Sequence, residues 1–263
     1  MSKNTIRVDP SNTRLNSGYS NIPISGIGSD HSNTPLLDDG IELTTRDYNL
    51  HSKNGIVIFL DVLGMKEIQK RFSSLIEVVR NWNSVIRSFR DFIERYPPNS
   101  GYYLRVLSDT IIITIPTTPN DSIVNWTFDL LLQPFIQSIK MRMLLRGSIS
   151  YGPYYLSDRL IIGDAIDDAA SCHNKLKWVG VSLSPTFSNT INTNNIDTNS
   201  AIWYNNIPLK GSCYSGLVLN WPIHDRNNEC YSILQHERSI NVDPGAEEKY
   251  DNTFKFYHNI VNG

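Results

Sequence analysis

The sequence predicts an α+β domain of split βαβ, ferredoxin-like topology, with helices packed on one face of a mostly antiparallel sheet. Three observations carry this. Apolar runs of strand length alternate with stretches of helical period, in the order strand, helix, strand, strand, helix, strand. Two of those runs, 102–107 and 110–115, are separated only by Ser108-Asp109, a turn pair, and so read as a hairpin. The chain has 263 residues, 40% of them hydrophobic, which supplies a core for one large domain or two small ones.

Residues 1–50 are rich in Ser, Asn, Thr, Gly and Asp and show no sustained periodicity. They are expected to form a disordered tail. The folded part is expected over 51–223. It opens on Ile56-Val57-Ile58-Phe59-Leu60, a continuous apolar run of the kind found in strands buried on both faces. Over 66–96 the spacing turns helical, through Ile68, Phe72, Leu75, Val79, Trp82, Ile86, Phe89 and Ile93, until Pro97-Pro98 stops it. After the hairpin, 122–139 is a second helix and 144–151 a strand closed by Gly152-Pro153. Residues 164–175 read as a helix with Asp164 as its N-cap, and 179–183 as a strand. Strands over 201–204, 207–210 and 217–221 finish the sheet, and 224–263 is a C-terminal extension ending in a helix over 246–261. Trp178, Trp203 and Trp221 read as core or interface packing.

Composition narrows the function classes. Charged residues make up 19% of the chain and the net charge is −2, with no broad basic face for nucleic acid. Cys172, Cys213 and Cys230 are odd in number and too scattered for a zinc knuckle, which suits a reducing, cytoplasmic compartment. The start of the chain lacks a secretory signal pattern and the apolar runs are strand-sized, so no membrane partner is expected. Cys172 and His173 are adjacent in the expected helix and do not face each other, which argues against a nucleophile pair.

The chemistry-bearing feature is a pair of aspartates, Asp61 and Asp109, each embedded in a strand-like apolar run. A desolvated carboxylate costs several kcal/mol unless it is paired. In the split βαβ topology the end of the first strand lies beside the hairpin of the next two, so the two acids are expected at one edge. Alone, each reads equally as a turn residue ending a strand. Together they suit a divalent cation that holds a phosphate-bearing substrate.

Several stretches resemble the catalytic domain of class III nucleotidyl cyclases, the adenylyl and guanylyl cyclase fold. They are Phe59-Leu60-Asp61-Val62-Leu63-Gly64-Met65, Leu107-Ser108-Asp109, Arg146-Gly147-Ser148-Ile149-Ser150-Tyr151-Gly152, Gly163-Asp164-Ala165-Ile166-Asp167-Asp168-Ala169-Ala170 and Pro208-Leu209-Lys210-Gly211. They stand in family order across roughly 55–220. The chain is most similar to the small bacterial cyclase-like proteins that include the Pycsar antiphage enzymes, which make cyclic pyrimidine nucleotides.

The resemblance implies two divalent metal ions, Mg²⁺ or Mn²⁺, on Asp61, Asp109 and the Val62 carbonyl. Gly64, Met65 and Lys66 open the expected long helix, whose free N–H groups suit the β- and γ-phosphates. The resemblance places further phosphate contacts at Arg146 and Lys210, each of which reads equally as a surface salt-bridging residue. The base-reading positions fall on Arg105 and Leu160, so the pair that reads adenine is absent. Two readings stand for Arg105, a donor to a base carbonyl such as that of uracil or a solvated strand residue. The family's Asn and Arg, which orient the ribose and stabilise the transition state, fall on Asp167 and Ser171, and neither supplies a guanidinium. Arg159 or Lys175 is a candidate substitute.

The resemblance also implies a head-to-tail homodimer whose active sites span the interface, and a product that acts on a separate effector in an antiviral defence setting. The expected activity is conversion of a nucleoside triphosphate, UTP or CTP, to a 3′,5′-cyclic nucleotide and pyrophosphate. The alternatives are a catalytically inactive homologue that binds nucleotide, and a palm-type nucleotidyltransferase.

Overall fold

The structure is a computed structural model that describes residues 52–65, 68–98, 101–157, 160–191, 195–240 and 244–263. The tail expected over 1–50, together with Lys66 and Arg159, lies outside the described residues. The elements run β1 (Ser52–Val62), α1 (Ile68–Arg71), α2 (Leu75–Arg95), β2 (Tyr103–Leu107), β3 (Thr110–Pro116), α3 (Asp121–Lys140), β4 (Leu145–Leu156), β5 (Ile161–Ile162) and α4 (Asp164–Lys175). There follow β6 (Gly180–Leu183), α5 (Pro185–Ser188), β7 (Ala201–Leu209), β8 (Ser212–Leu219), α6 (Glu229–Ile240) and α7 (Pro244–Val261).

One sheet has the order β2-β3-β1-β4-β6-β8-β7, with β5 paired to β4. Its first four strands pair antiparallel and, with α2 and α3 as crossovers, form the split βαβ core predicted from the element order. β4 and β6 pair in parallel, so the whole is a mixed α/β fold around a central sheet.

The pleat of β1 divides the sheet into two faces. Ile56, Ile58, Leu60 and Val62 enter the main core with Val85 and Phe89 of α2 and Phe128, Leu131 and Phe135 of α3. Cys230 and Leu234 of α6 and Phe256 of α7 belong to the same core. Val57 points the other way, into a small cluster with Tyr154, Ala165, Ile166 and Ala169, against which Phe59 packs. The expectation of helices on one face therefore holds for α2 and α3, whereas α4 lies on the opposite face. Trp178 and Trp221 are fully buried, but Trp203 is exposed, its indole nitrogen donating to the Asn205 side chain at 2.9 Å.

Three local expectations are corrected. The helix expected from residue 66 is broken, and α2 begins only after Ser74, whose hydroxyl accepts the Glu77 N–H at 3.2 Å. Ser74 and Glu77 have the S-x-x-E spacing that starts a helix afresh. Asp164 is the first residue of α4 rather than its cap, which is Gly163. The two short strands expected over 201–210 are one strand, with an irregularity between Tyr204 and Ile207.

Candidate active site

Asp61 is next to last in β1 and pairs across the sheet with Thr110 of β3 on one side and Arg146 of β4 on the other. Thr110 follows Asp109 directly, so the turn between β2 and β3 lies beside the end of β1. Two contacts pin that turn. The Val62 N–H donates to the Asp109 carbonyl at 3.1 Å, and the Trp82 indole of α2 donates to the Ser108 carbonyl at 3.1 Å. Ser108 takes the left-handed conformation (φ 57°) that closes so short a turn. Two acids 48 positions apart in the chain are thereby brought to one sheet edge.

Asp61, Arg146 and the small residues Ser148 and Ser150 share the face that α4 covers. The Arg146 guanidinium donates to one Asp61 carboxylate oxygen through Nη2 at 3.1 Å and Nε at 3.3 Å. Its Nη1 donates to the main-chain carbonyls of Leu176 at 3.2 Å and Asn174 at 3.4 Å, at the C-terminal end of α4, where helix carbonyls favour a cation. Gly147 keeps β1 and β4 close, since a Cβ there would lie 2.4 Å from Leu60 Cδ2 and 2.8 Å from the Phe59 carbonyl oxygen.

Electrostatics at the edge are uneven. Burial pushes the Asp61 carboxyl above its ordinary range; Arg146 pulls it back, and the neighbouring Asp109 charge raises it again. His173 is 95% buried, and its Nε2 lies 4.0 Å from the same Asp61 oxygen. Its ring packs on Phe59 with centroids 4.6 Å apart. Burial lowers its pKa against the pull of Asp61, which favours the neutral ring.

His173 is the member of this cluster that sequence reasoning missed. Reading Cys172 and His173 only as neighbours passed over the stripe Ala165, Ile166, Ala169, Cys172, His173. That helical spacing places His173 on the buried side of α4.

The other expected site residues distribute as follows. Lys210 is exposed in the turn between β7 and β8, and its N–H donates to the Lys175 carbonyl at 2.8 Å, which ties that turn to the end of α4 near Arg146. Gly64 (φ 72°) and Met65 occupy a turn after β1 instead of the first turn of the long helix, so the helix-terminus argument for phosphate binding there falls away. Arg105 is half-buried on β2 and pairs with Ile112, which also pairs with Phe59, one pleat behind Asp61. Leu160 follows the far end of β4, where its N–H donates to the Ser157 hydroxyl at 3.1 Å. Arg105 and Leu160 of one chain are thus not brought together at the Asp61 edge. Asp167 and Ser171 are exposed on α4, while Asp168 accepts a hydrogen bond from the Ser184 hydroxyl at 2.5 Å.

Among the described residues there is no group of three or more His, Cys, Asp or Glu side chains suited to holding a metal. The edge offers two carboxylates and main-chain oxygens. That hard, sparse donor set fits a cation that brings phosphate oxygens and water with it, better than a metal caged by protein alone. No helix among the described residues is long and apolar enough to cross a membrane.

No protein-family model matches the chain, and no curated protein matches it. Solved structures similar to it include a bacterial light-regulated adenylyl cyclase, at 15% identity and TM-score 0.46, covering 72% of this chain and 57% of that one. This chain therefore spans little over half the length of that protein. An adenylate cyclase from Trypanosoma brucei in its monomeric state matches at 13% identity and TM-score 0.46, covering 64% of this chain and 90% of that one. An adenylate/guanylate cyclase/hydrolase from Silicibacter pomeroyi matches at 15% identity and TM-score 0.44, covering 64% and 95%. At these TM-scores the fold assignment rests on the strand order and pairing above.

Proposed function

We propose that the chain is a metal-dependent nucleotidyl cyclase that converts a nucleoside triphosphate to a 3′,5′-cyclic nucleotide and pyrophosphate. The observation that carries this reading is the meeting of Asp61 and Asp109 at one sheet edge, beside Arg146. In the reaction the ribose 3′-hydroxyl gives its proton to solvent water and its oxygen forms a bond to the α-phosphorus; the bond from that phosphorus to the oxygen bridging to the β-phosphate breaks, and pyrophosphate leaves with the electron pair. Two divalent cations held by Asp61, Asp109 and the Val62 carbonyl would supply charge neutralisation and activation of the attacking hydroxyl.

The chain's own residues then have separable roles. Asp61 and Asp109 provide the anionic edge. Arg146 offers a forked donor to phosphate oxygens once it releases Asp61, and Lys210 adds a mobile point charge from the β7–β8 turn. His173, tilted against Phe59, limits how the Asp61 carboxylate can turn. The substrate is a pyrimidine nucleotide, UTP or CTP. Leu160 stands where the family resemblance implies an acid for adenine, and Arg105 is a donor suited to a base carbonyl. Arg105 and Leu160 act toward the site of a second subunit in a head-to-tail homodimer. The product signals through a separate effector, in keeping with antiphage defence in the cytoplasm.

A second reading, nucleotide binding without turnover, is favoured by one observation. Asp167 and Ser171 put no guanidinium on the exposed side of α4.

Mass spectrometry of the products formed from each of the four ribonucleoside triphosphates with Mn²⁺ separates the two. A cyclic pyrimidine nucleotide, absent with Asp61→Ala and Asp109→Ala, is expected. Retained triphosphate binding with no pyrophosphate release would favour the second reading, and a linear oligonucleotide product would point to a palm-type transferase.

A further inference from the structure

The inward stripe of α6 is Cys230, Leu234 and Glu237, at helical spacing. The third member is a carboxylate, fully buried. A charge at a core position is costly to desolvate, and an apolar residue of similar volume often serves stability as well or better. The contacts of Glu237 suggest what it does instead.

One carboxylate oxygen accepts from Arg71 Nη1 of α1 at 3.0 Å, and the other accepts from Arg142 Nε in the turn after α3. Arg71 is itself buried, and its Nη2 donates to the Leu63 carbonyl at 3.2 Å. Arg142 adds a bond from Nη2 to the Arg71 carbonyl at 2.6 Å and lies over the Phe72 ring at 4.8 Å. Leu63 is two positions beyond Asp61, and its N–H donates to the Leu144 carbonyl at 2.8 Å, at the start of the strand that carries Arg146. The preceding N–H, of Val62, holds Asp109. A chain of polar contacts thus runs from α6 through Arg71 to Leu63, next in the chain to Val62, which follows Asp61 and whose N–H holds the Asp109 carbonyl.

We propose that Glu237 is a positioning residue for the Asp61–Asp109 edge. It acts through Arg71 on the Leu63 carbonyl, so that the C-terminal helices brace the acidic edge from behind. Glu237 bridges the two arginines, one carboxylate oxygen to each; its bond to Arg71 Nη1 orients the guanidinium so that Nη2 reaches the Leu63 oxygen. The kinetic part of this inference rests on the cyclase reading; the structural part does not.

The experiment uses the full chain with Glu237→Gln and Arg71→Lys. The lysine keeps a charge for Glu237 but loses the second arm to Leu63, so it serves even where the glutamine variant fails to fold. Native-state hydrogen exchange at the Val62 and Leu63 amides is the first readout. Exchange there is expected to speed up roughly tenfold relative to amides of β7 and β8. Turnover is the second readout, with kcat per folded molecule falling roughly 10- to 100-fold while KM for the metal–triphosphate stays within about twofold. Unchanged relative exchange at residues 62 and 63 in the folded variants overturns the proposal. So does faster exchange with unchanged kcat, which would leave the triad a purely structural staple. A wild-type chain that makes no cyclic nucleotide sinks the cyclase reading instead, and the exchange readout still decides whether Glu237 braces the edge.

Discussion

On the α2/α3 side of the sheet, β1 presents Ile56, Ile58, Leu60 and Val62, none more than 2% exposed. On the α4 side the same strand presents Val57, Phe59 and Asp61, and its neighbour β4 adds Arg146, Ser148 and Ser150. The first face meets two long helices and holds most of the apolar burial. The second meets one 12-residue helix over a cluster of a few apolar side chains. One strand thus carries stability on one side and charge on the other. The first face can position the second without taking part in its chemistry, because successive side chains of a strand point opposite ways. A substitution at position 60 and one at position 61 are one residue apart in the chain and should fail in different assays.

The largest effect expected from breaking this contrast is at the acids. Asp61→Ala and Asp109→Ala should each lower cyclic-nucleotide formation by about 10³-fold, ~4 kcal/mol of transition-state stabilisation. Circular dichroism of both should remain that of the wild type. Next comes Leu60→Ala, expected to cost about 2–5 kcal/mol of stability by urea denaturation, with turnover per folded molecule little changed. A Leu60→Ala chain that is stable but inactive would erase the division of labour. Arg146→Gln should weaken polyphosphate binding by about tenfold, in proportion to the loss of a charged hydrogen-bond donor. Calorimetric titration with a non-cyclising triphosphate analogue measures it.

The smallest effects are in pH dependence, and their signs differ. The Asp61 pKa is raised in the folded state, so above 3.8 the native chain holds more protons than the unfolded one. Stability from this group therefore falls as pH rises from 3.8 through the folded value, then stays flat. Asp61→Asn should remove that slope, read in thermal melts between pH 4 and neutral pH. His173 has a lowered folded pKa, so its contribution is complete above 6.5 and is lost as pH falls from 6.5 through the folded value. His173→Gln should flatten that acid limb in thermal melts between pH 7 and pH 5.

Much of this arrangement was legible in the sequence. Ser108-Asp109 between two β-rich runs announced the hairpin, and the element order put its tip beside the end of the first strand. Both signals are local, and the topology did the rest. The break between α1 and α2 was also written locally, in Ser74 and Glu77, but an apolar spacing that runs on through Phe72 and Leu75 masked it. Other features had no local signal. Glu237 lies in a stretch whose sequence gives no sign of a buried carboxylate, since Arg71 and Arg142 reach it from 166 and 95 residues away. The Arg146–Asp61 pair likewise depends on strand register, which a sequence pattern does not fix. His173 was within reach, because the small residues Ala165 and Ala169 on its own helix face mark the side that packs on the sheet.

In the proposed reaction the two carboxylates jointly hold a cation against a polyphosphate. Electron paramagnetic resonance of Mn²⁺ titrated into the protein with a non-cyclising triphosphate analogue reads this directly, in the wild type and in the two single alanine variants. The predicted result is a protein-bound Mn²⁺–triphosphate signal in the wild type that disappears with Asp61→Ala and with Asp109→Ala alike. An undiminished signal in both variants would contradict a shared metal edge.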